Sequence, residues 1–300
     1  MSDRVETEQS SVTRERDLPL DHADHGNPKA AGDSVERFCI FTYHEILPSD
    51  STYLYRVTDS VFENHLSFIS SVCKDTVAGA VPQITFDDGH RSNYENAFPI
   101  LERFGLKGTI FVLAGRVSSD ANYISWDQAQ EMASAGHRIA SHGWSHRLLT
   151  QCSSSELDRE IFDSKREIED RVGFEVDSIS APGGRWDERV LNTCARAGYK
   201  FLLHSNPWVP ASVRKSIRLQ GRHMVTGRME SSQLQNLMQI RGMERRYLRA
   251  RYAAKERARL MLGDQLYHKL WCWVANWNPG EGLELEVDGN ARAKGESNPS

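Results

Sequence analysis

Two kinds of apolar pattern alternate between about residue 38 and residue 219 of this 300-residue chain. Short apolar runs predict buried strands, and longer segments with apolar residues spaced by one helical turn predict amphipathic helices. The predicted strands are 38–43, 81–86, 109–113, 138–140, 178–180, 199–203 and 216–219. The predicted helices are 61–72, 94–105, 125–136, 155–173 and 187–197. Strands that alternate with helices form βαβ units, so the pattern predicts an α/β fold with a parallel sheet.

The pattern changes at both ends of the chain. Residues 1–35 are polar and charged, and we expect a disordered arm there, followed by a barrel domain at 36–228. A helical extension is predicted at 229–278, where many arginines precede an apolar run rich in tryptophan. Such a segment can make a peripheral contact with anionic lipid, although we favour packing on the barrel or on another subunit, and the oligomeric state is left open. Residues 279–300 are polar again and are expected to be disordered.

Composition narrows the setting in which the protein acts. The formal net charge of -4 gives no reason to expect nucleic acid as a partner. The five cysteines are scattered and odd in number, which fits a reducing compartment better than a disulfide framework. The first residues lack the apolar core of a signal peptide, and no apolar run is long enough to span a bilayer. We therefore expect a cytoplasmic protein, with the lipid alternative placing it at the inner membrane surface.

Two short segments carry most of the candidate chemistry. Asp87 and Asp88 come directly after one predicted strand, and His142 and His146 come after another. Two histidines and a carboxylate are a common ligand set for a divalent ion that keeps one coordination position open for water. The remaining carboxylate is then free to act as a base on that water. Together the two segments predict a metal-dependent hydrolase.

Other polar or glycine-rich positions also follow predicted strands. His44 and His204 come at strand ends, and so does the turn formed by Pro182, Gly183 and Gly184. Parallel α/β folds place their sites at the carboxyl ends of the strands, so these residues are expected to share one rim. His44 either lines the site or bonds to a neighbouring backbone group.

These residues resemble the motifs of the polysaccharide deacetylases of carbohydrate esterase family 4, the NodB-homology group. Residues 85–89, Thr-Phe-Asp-Asp-Gly, are similar to the first motif, and the His-x-x-x-His pair at 142–146 is similar to the second. The segment 43–46, Tyr-His-Glu-Ile, resembles the exopolysaccharide-type branch of the family. The similarity covers roughly residues 38–225. It implies a distorted, incomplete (β/α) barrel of about seven strands, here with a C-terminal helical extension.

The resemblance also implies roles for individual residues. Asp87 would be the catalytic base, while Asp88, His142 and His146 would hold one divalent metal ion. Zinc is the default ion for these ligands, and cobalt, nickel, manganese and iron are also compatible with them. The implied reaction removes acetyl groups, N-acetyl rather than O-acetyl, from a carbohydrate or glycan precursor.

The later motifs of the family are altered in this chain. Ser180 stands where the third motif has an arginine, and Gly183 stands where it has an aromatic residue. The Gly183 N–H would still be able to serve as an oxyanion donor, because that role needs no side chain. Arg185 is a candidate replacement for the arginine, and solvation at the surface is the alternative.

The general acid is not settled by the sequence. His204 ends a segment that superficially resembles the fifth motif, whereas His223 lies nearer to the expected order of motifs. Trp208 either forms a wall of the acetyl pocket or packs against the fold, and we favour packing.

Two rival functions remain open beside sugar deacetylation. One is hydrolysis of a non-sugar amide or cyclic imide on the same fold. The other is a catalytically degenerate barrel that binds glycan without hydrolysing it, and the altered later motifs are the reason to consider it.

Overall fold

The computed structural model describes residues 39–75, 82–240, 242–263 and 266. Its strands are β1 Ile40–Tyr43, β2 Glu45–Leu47, β3 Arg56–Thr58, β4 Gln83–Phe86, β5 Gly108–Val112, β6 Arg138–Ser141, β7 Ser178–Ser180, β8 Phe201–His204, β9 Ser212–Arg214, β10 Ile217–Gly221 and β11 His223–Met224. Its helices are α1 Asp59–Asp75, α2 Phe98–Phe104, α3 Trp126–Ser134, α4 Ser154–Asp158, α5 Ser164–Val172, α6 Glu188–Arg196, α7 Ser231–Gln239 and α8 Gly242–Leu262. Two π-helical segments, Asn93–Ala97 and Arg159–Asp163, directly precede α2 and α5.

Nine strands form one curled sheet in the order β11-β1-β4-β5-β6-β7-β8-β10-β9. All neighbours in this sheet are parallel except β10 and β9, and β2 and β3 form a separate parallel pair. Within the described strands, the edge strands β11 and β9 do not pair with each other, so the barrel stays open. The expected distorted, incomplete barrel is thereby confirmed.

Alternation along the strands separates the two faces of the sheet. On the outer face, Phe41, Ile84, Ile110 and Ile139 belong to the main core beneath the helices. The inner face holds a small apolar cluster, which consists of Ile40, Phe111, Ala140 and Leu203 with Phe201 packed against it. Towards the carboxyl ends of the strands the inner face becomes polar, and this polar end is where the candidate site lies.

The seven predicted strands all correspond to strands of the sheet. Four strands were not predicted, namely β2, β3, β9 and β11, which are only two or three residues long and lack a fully buried apolar run. The helix predicted at 155–173 is interrupted by the π-helical segment at Arg159–Asp163. This π-helical segment contains Glu160, which contacts the loop after β6.

The C-terminal extension contains two helices, α7 and α8, as the periodicity after residue 229 predicted. The predicted disordered arm and tail, and the tryptophan-rich run, lie outside the described residues. Within the described part of the chain, no helix is both long enough and apolar enough to cross a membrane.

Candidate active site

The turn after β4 places two carboxylates at the carboxyl edge of the sheet. The Asp87 N–H donates to the carbonyl of Tyr43 at 2.9 Å, which extends the β1–β4 pairing by one residue. The backbone then passes through two left-handed residues, Asp88 with φ 74° and Gly89 with φ 72°. Aspartate tolerates this conformation better than most residues, but holding a non-glycine residue there still costs energy that the surroundings must offset. As a result Asp87 and Asp88 are adjacent and both almost fully buried.

The loop after β6 carries the two histidines. Its entry is fixed by the His142 N–H, which donates to the carbonyl of Val112 at 2.8 Å. Gly143 then has φ 86°, and His146 is a second non-glycine residue in the left-handed region, with φ 71°. The Nδ1–H of His142 donates to the carbonyl of Ser180 at 2.9 Å. Because a carbonyl can only accept, this bond fixes the tautomer and leaves the His142 Nε2 lone pair facing the site.

Three lone-pair atoms converge between these two loops. Asp88 Oδ1 lies 3.3 Å from His142 Nε2 and 3.4 Å from His146 Nε2. All three ligand atoms lie within 4.8 Å of one another. Asp88 Oδ1 is buried without a hydrogen-bond donor among the described residues. Because acceptor atoms repel one another at such distances unless a proton or a cation lies between them, this donor set fits a divalent metal ion.

The electrostatics of the cluster favour the ionisation states that metal ligands need at Asp88 and His146, but not at His142. Burial raises the pKa of Asp88, but His146 and His142 outweigh it and hold the pKa well below its usual range. Burial lowers the pKa of His146 to about 4, so that its imidazole is neutral at pH 7. For His142, burial alone would lower the pKa, but the carboxylates of Asp87 and Asp88 outweigh burial and raise it. A bound cation would oppose that effect, since metal binding displaces protons from its ligands.

Asp87 is held by a buried arginine that the sequence reasoning missed. Arg222 Nη1 donates to Asp87 Oδ1 at 2.7 Å, and Arg222 Nη2 donates to Asp87 Oδ2 at 2.9 Å. Ser180 Oγ donates to Asp87 Oδ2 at 3.2 Å and accepts from Arg222 Nη2 at 2.7 Å. Burial raises the pKa of Asp87, but the Arg222 guanidinium and the imidazoles of His142 and His44 together outweigh burial, and the resulting pKa is lowered. Asp87 is therefore an ionised carboxylate 4.0 Å from His142 Nε2, beside the candidate metal position.

Arg222 places a guanidinium against Asp87, whereas the hydrogen bonds and ion pairs described for Asp87 do not include Arg185. Arg222 is the single residue between β10 and β11. In the strand order, β10 and the strand β4 that precedes Asp87 lie on opposite sides of β7, the strand that contains Ser180. Arg222 is 1% exposed, and its guanidinium carbon lies 5.4 Å from the ring centre of Phe111 on the inner face. The side chain of Ser180 is smaller than the arginine of the third motif, so it leaves room for the Arg222 guanidinium. The available signal was an arginine placed at the carboxyl end of a predicted strand.

The two candidate acids occupy different environments. His204 is buried at the end of β8, and burial lowers its pKa to about 4 with a further contribution from Arg222. Its Nδ1 accepts from the N–H of Asn206 at 3.1 Å. His223 follows Arg222 directly and pairs with Phe41, so its ring lies on the outer face, 6.0 Å from Phe41 and 5.1 Å from Trp208 between ring centres. The structure brings His204 to the rim but directs His223 away from the base.

The other predicted rim residues lie around this centre. His44 stacks on Tyr55 with ring centres 4.7 Å apart, and it is close enough to lower the pKa of both carboxylates. The Pro182 side chain lies beside Gly143, at 3.9 Å from where a Cβ on that glycine would stand. Gly183 is exposed on the turn after β7, whereas a side chain at Gly184 would collide with Ser205. Trp208 packs edge-on against His223, which agrees with a packing role.

Proteins of known sequence carry a similar domain. A family model for polysaccharide deacetylase matches residues 74–202. The YxkH protein of Bacillus subtilis is 28% identical over 56% of this chain and 64% of its own length. The peptidoglycan-N-acetylglucosamine deacetylase PgdA of Listeria monocytogenes is 28% identical over 42% of this chain and 26% of its own length. This chain thus spans less than two-thirds of these relatives.

Solved structures show the same fold. The Streptococcus pyogenes deacetylase PplD, determined in complex with acetate, superposes with a TM-score of 0.60 at 24% identity and covers 67% of this chain and 97% of its own. IcaB from Ammonifex degensii gives a TM-score of 0.54 at 20% identity and covers 68% of this chain and 97% of its own. At these identities the likeness concerns the fold alone.

Proposed function

Residues 74–202 belong to the polysaccharide deacetylase family, and on this basis we propose that the protein is a metal-dependent hydrolase that removes acetyl groups from a carbohydrate or glycan precursor. An N-acetyl amide is the favoured bond. The observation that carries the proposal is the convergence of Asp88, His142 and His146 beside an ionised Asp87. Three metal ligands and a base are the minimum set for hydrolysis by an activated water.

In the proposed mechanism Asp88, His142 and His146 hold the ion. A divalent ion bound there would supply Lewis acidity, which would polarise the acetyl carbonyl and lower the pKa of water; zinc is the default choice, and cobalt, nickel, manganese and iron are compatible. Asp87 accepts the proton as water attacks, because Arg222 keeps its carboxylate ionised and oriented. The exposed Gly183 N–H is assigned to the developing oxyanion.

The second proton transfer must protonate the leaving amine. His204 is neutral at pH 7 because its pKa is about 4, and His223 lies on the outer face of the sheet. Neither fits a general acid at neutral pH as well as Asp87 does after it has taken the first proton. Its lowered pKa makes the protonated carboxyl a ready donor. Asp87 is therefore assigned both steps.

Acetate release from an acetylated chito-oligosaccharide, with and without a chelator, tests the proposal. Asp87→Asn and His142→Ala should each abolish release, and added zinc or cobalt should restore activity to the chelated wild type. Asp127→Asn is the matched control, since Asp127 is exposed in the first turn of α3 and is not among the residues that contact Asp87, Asp88, His142 or His146. Full activity in both site variants would overturn the assignment. Hydrolysis of cyclic amides but not sugars would favour the first rival, and glycan binding without acetate release would favour the degenerate barrel.

We further propose that the basic helix α8 holds the protein at an anionic lipid surface. Its 21 residues include seven basic and two acidic side chains, in a chain whose net charge is -4. Tyr252 on its inner face donates to the carbonyl of Ser205 at 2.7 Å, so the helix lies at the same sheet edge as His204. Its outer face exposes Met243 (77%), Met261 (85%) and several arginines. Apolar and cationic side chains on one helix face are typical of helices that lie on anionic lipid.

Vesicle co-sedimentation of the full chain tests this second proposal. Binding to vesicles with anionic phosphatidylglycerol should exceed binding to neutral phosphatidylcholine vesicles and should weaken with salt. The double variant Arg246→Glu/Arg257→Glu should lose binding, because both side chains are exposed on α8. The control Arg166→Glu/Arg196→Glu makes the same charge change at exposed sites outside α8. Equal binding by the two double variants would refute it.

A further inference from the structure

A buried carboxylate that is not one of the proposed metal ligands accepts hydrogen bonds from the loop between His142 and His146. Glu160 is 3% exposed and lies in the π-helical segment between α4 and α5. Its Oε2 accepts from the backbone N–H of Trp144 at 2.7 Å and of Ser145 at 3.0 Å. Its Oε1 accepts from the Ser145 hydroxyl at 2.5 Å. All three donors belong to the loop between His142 and His146.

The backbone of this loop forms an anion-binding concavity. Left-handed residues stand on both sides of Trp144 and Ser145, namely Gly143 and His146. Such changes of hand direct successive N–H groups towards one point, which is the arrangement that binds small anions. Here the protein supplies its own anion, because both N–H groups meet one oxygen of Glu160.

Three further features accompany the contact between Glu160 and this loop. A Cβ at Gly143 would lie 2.8 Å from Glu160 Oε2, so the glycine gives the carboxylate room to approach the backbone. The other side of the loop is also fixed, since the N–H groups of Ala114 and Gly115 donate to the carbonyls of Gly143 and Trp144 at 3.1 and 2.9 Å. The π-helical segment carries Glu160, and such interruptions of α-helices are frequent at functional sites.

We propose that Glu160 is a positioning residue that holds His146 in its left-handed conformation, with its Nε2 directed at Asp88. The inference rests on the proposed function, because it takes the loop histidines to be metal ligands. His146 directly follows Ser145, whose N–H donates to Glu160. Loss of the carboxylate would therefore remove the hydrogen bonds that fix the backbone just before His146. Groups that orient metal ligands in this way typically change metal affinity 10- to 100-fold when they are removed, so a loss on the order of 10–100-fold is expected here.

The test is the affinity and visible absorption spectrum of Co²⁺ bound to the full chain. Glu160→Ala should weaken Co²⁺ binding about 10- to 100-fold and alter the spectrum, since the geometry at His146 changes. Glu160→Gln should retain most of the affinity, because its amide oxygen accepts both N–H groups while its NH₂ donates to the Ser145 hydroxyl. Added formate should rescue Glu160→Ala by occupying the vacated anion position. Glu167→Ala is the matched control, as Glu167 pairs with Arg171 on the same helical stretch without contacting the loop.

The outcomes separate this inference from the proposed function. Wild-type Co²⁺ affinity and spectrum in folded Glu160→Ala would overturn the positioning role. If Glu160→Ala does not fold, a loss of Co²⁺ affinity on the order of 10–100-fold in Glu160→Gln, which keeps an acceptor for both N–H groups, would overturn it as well. Normal Co²⁺ binding by the wild type without any acetate release would defeat the proposed function but leave the role of Glu160 standing. A wild type that binds no Co²⁺ would overturn both.

Discussion

Replacing Arg222 by methionine is the sharpest perturbation of the site. Methionine keeps much of the apolar contact with Phe111 but removes the guanidinium. Asp87 would lose two charge-assisted hydrogen bonds, at 2.7 and 2.9 Å, and Ser180 would lose its donor at 2.7 Å. The Asp87 carboxylate would then be buried without a cation beside it.

The expected cost follows from this burial. Both partners are almost fully buried, with side chains 0% and 4% exposed. Removing one partner of such a pair costs about 3–5 kcal/mol, because the remaining charge stays desolvated. The pKa of Asp87 should rise, since Arg222 is the largest of the contributions that lower it against burial. An adjacent cation generally lowers a carboxyl pKa by about 1–3 units, so the acidic limb of the pH–rate profile should move upward by about one pH unit or more.

Two measurements check the prediction. Urea unfolding should give the stability loss for Arg222→Met, and in a double-mutant cycle with Asp87→Leu the double variant should lose less than the sum of the single losses. The exposed pair Arg171 and Glu167, at 2.9 Å, is the control, for which coupling should stay below about 1 kcal/mol. Additive losses within about 0.5 kcal/mol at Arg222 and Asp87, together with an unshifted acidic limb, would refute the reasoning.

Three further predictions concern other parts of the site. Metal added at about 100 times its dissociation constant should stabilise the chelated protein by about 2.7 kcal/mol, and Asp88→Asn should lose most of this effect in thermal unfolding. Because the pKa of His204 falls from 6.5 to about 4 on folding, the unfolded chain binds more protons between these pH values, and stability should fall as pH drops through that window. From pH 8 to pH 5 this amounts to about 2 kcal/mol, which His204→Asn should remove from the measured pH dependence; an unchanged slope would contradict the buried, neutral assignment. Gly143→Ala should be more destabilising than Gly173→Ala, since both glycines are left-handed but only a Cβ at Gly143 meets an obstacle, at 2.8 Å; equal losses by chemical denaturation would count against that contact.

The strands of the sheet and the residues at their carboxyl ends could be predicted from the sequence, because both depend on local patterns of apolar and polar residues. Strands buried on both faces are continuous apolar runs, and residues at their carboxyl ends must share one edge, so the proximity of Asp87, Asp88, His142 and His146 could be predicted without coordinates. Strand β9 was not predicted because its residues are all exposed, and β11 was not predicted because it has only two residues. Neither strand has an apolar run to detect.

The residues that support the site depend on distant pairing instead. Arg222 and Asp87 are 135 residues apart, and nothing local indicates that one side chain will enter the barrel to meet the other. Glu160 lies within the helix predicted at 155–173, where many of the neighbouring residues are charged. It does, however, occupy the apolar stripe of that helix beside Leu157, Ile161 and Ile168, all of which are buried. A charged residue on a buried stripe is the signal that was available.

The position of Arg222 also bears on whether the altered third motif marks a barrel without activity. The proposed role of Asp87 requires a guanidinium in bidentate contact with its carboxylate. The chemistry is the same whichever strand carries that arginine. Ser180 occupies the motif position, yet its hydroxyl bridges Arg222 and Asp87, while its carbonyl fixes the tautomer of His142. One small residue thus connects the proposed base, Asp87, to the proposed metal ligand His142. A barrel relieved of catalysis would have no reason to keep a fully buried ion pair, because apolar residues of similar volume are often at least as stable in such positions. If Arg222→Met/Asp87→Leu proves more stable than the wild type, the pair lowers the stability of the fold, and this result would favour the proposed catalytic role over a barrel that has lost catalysis.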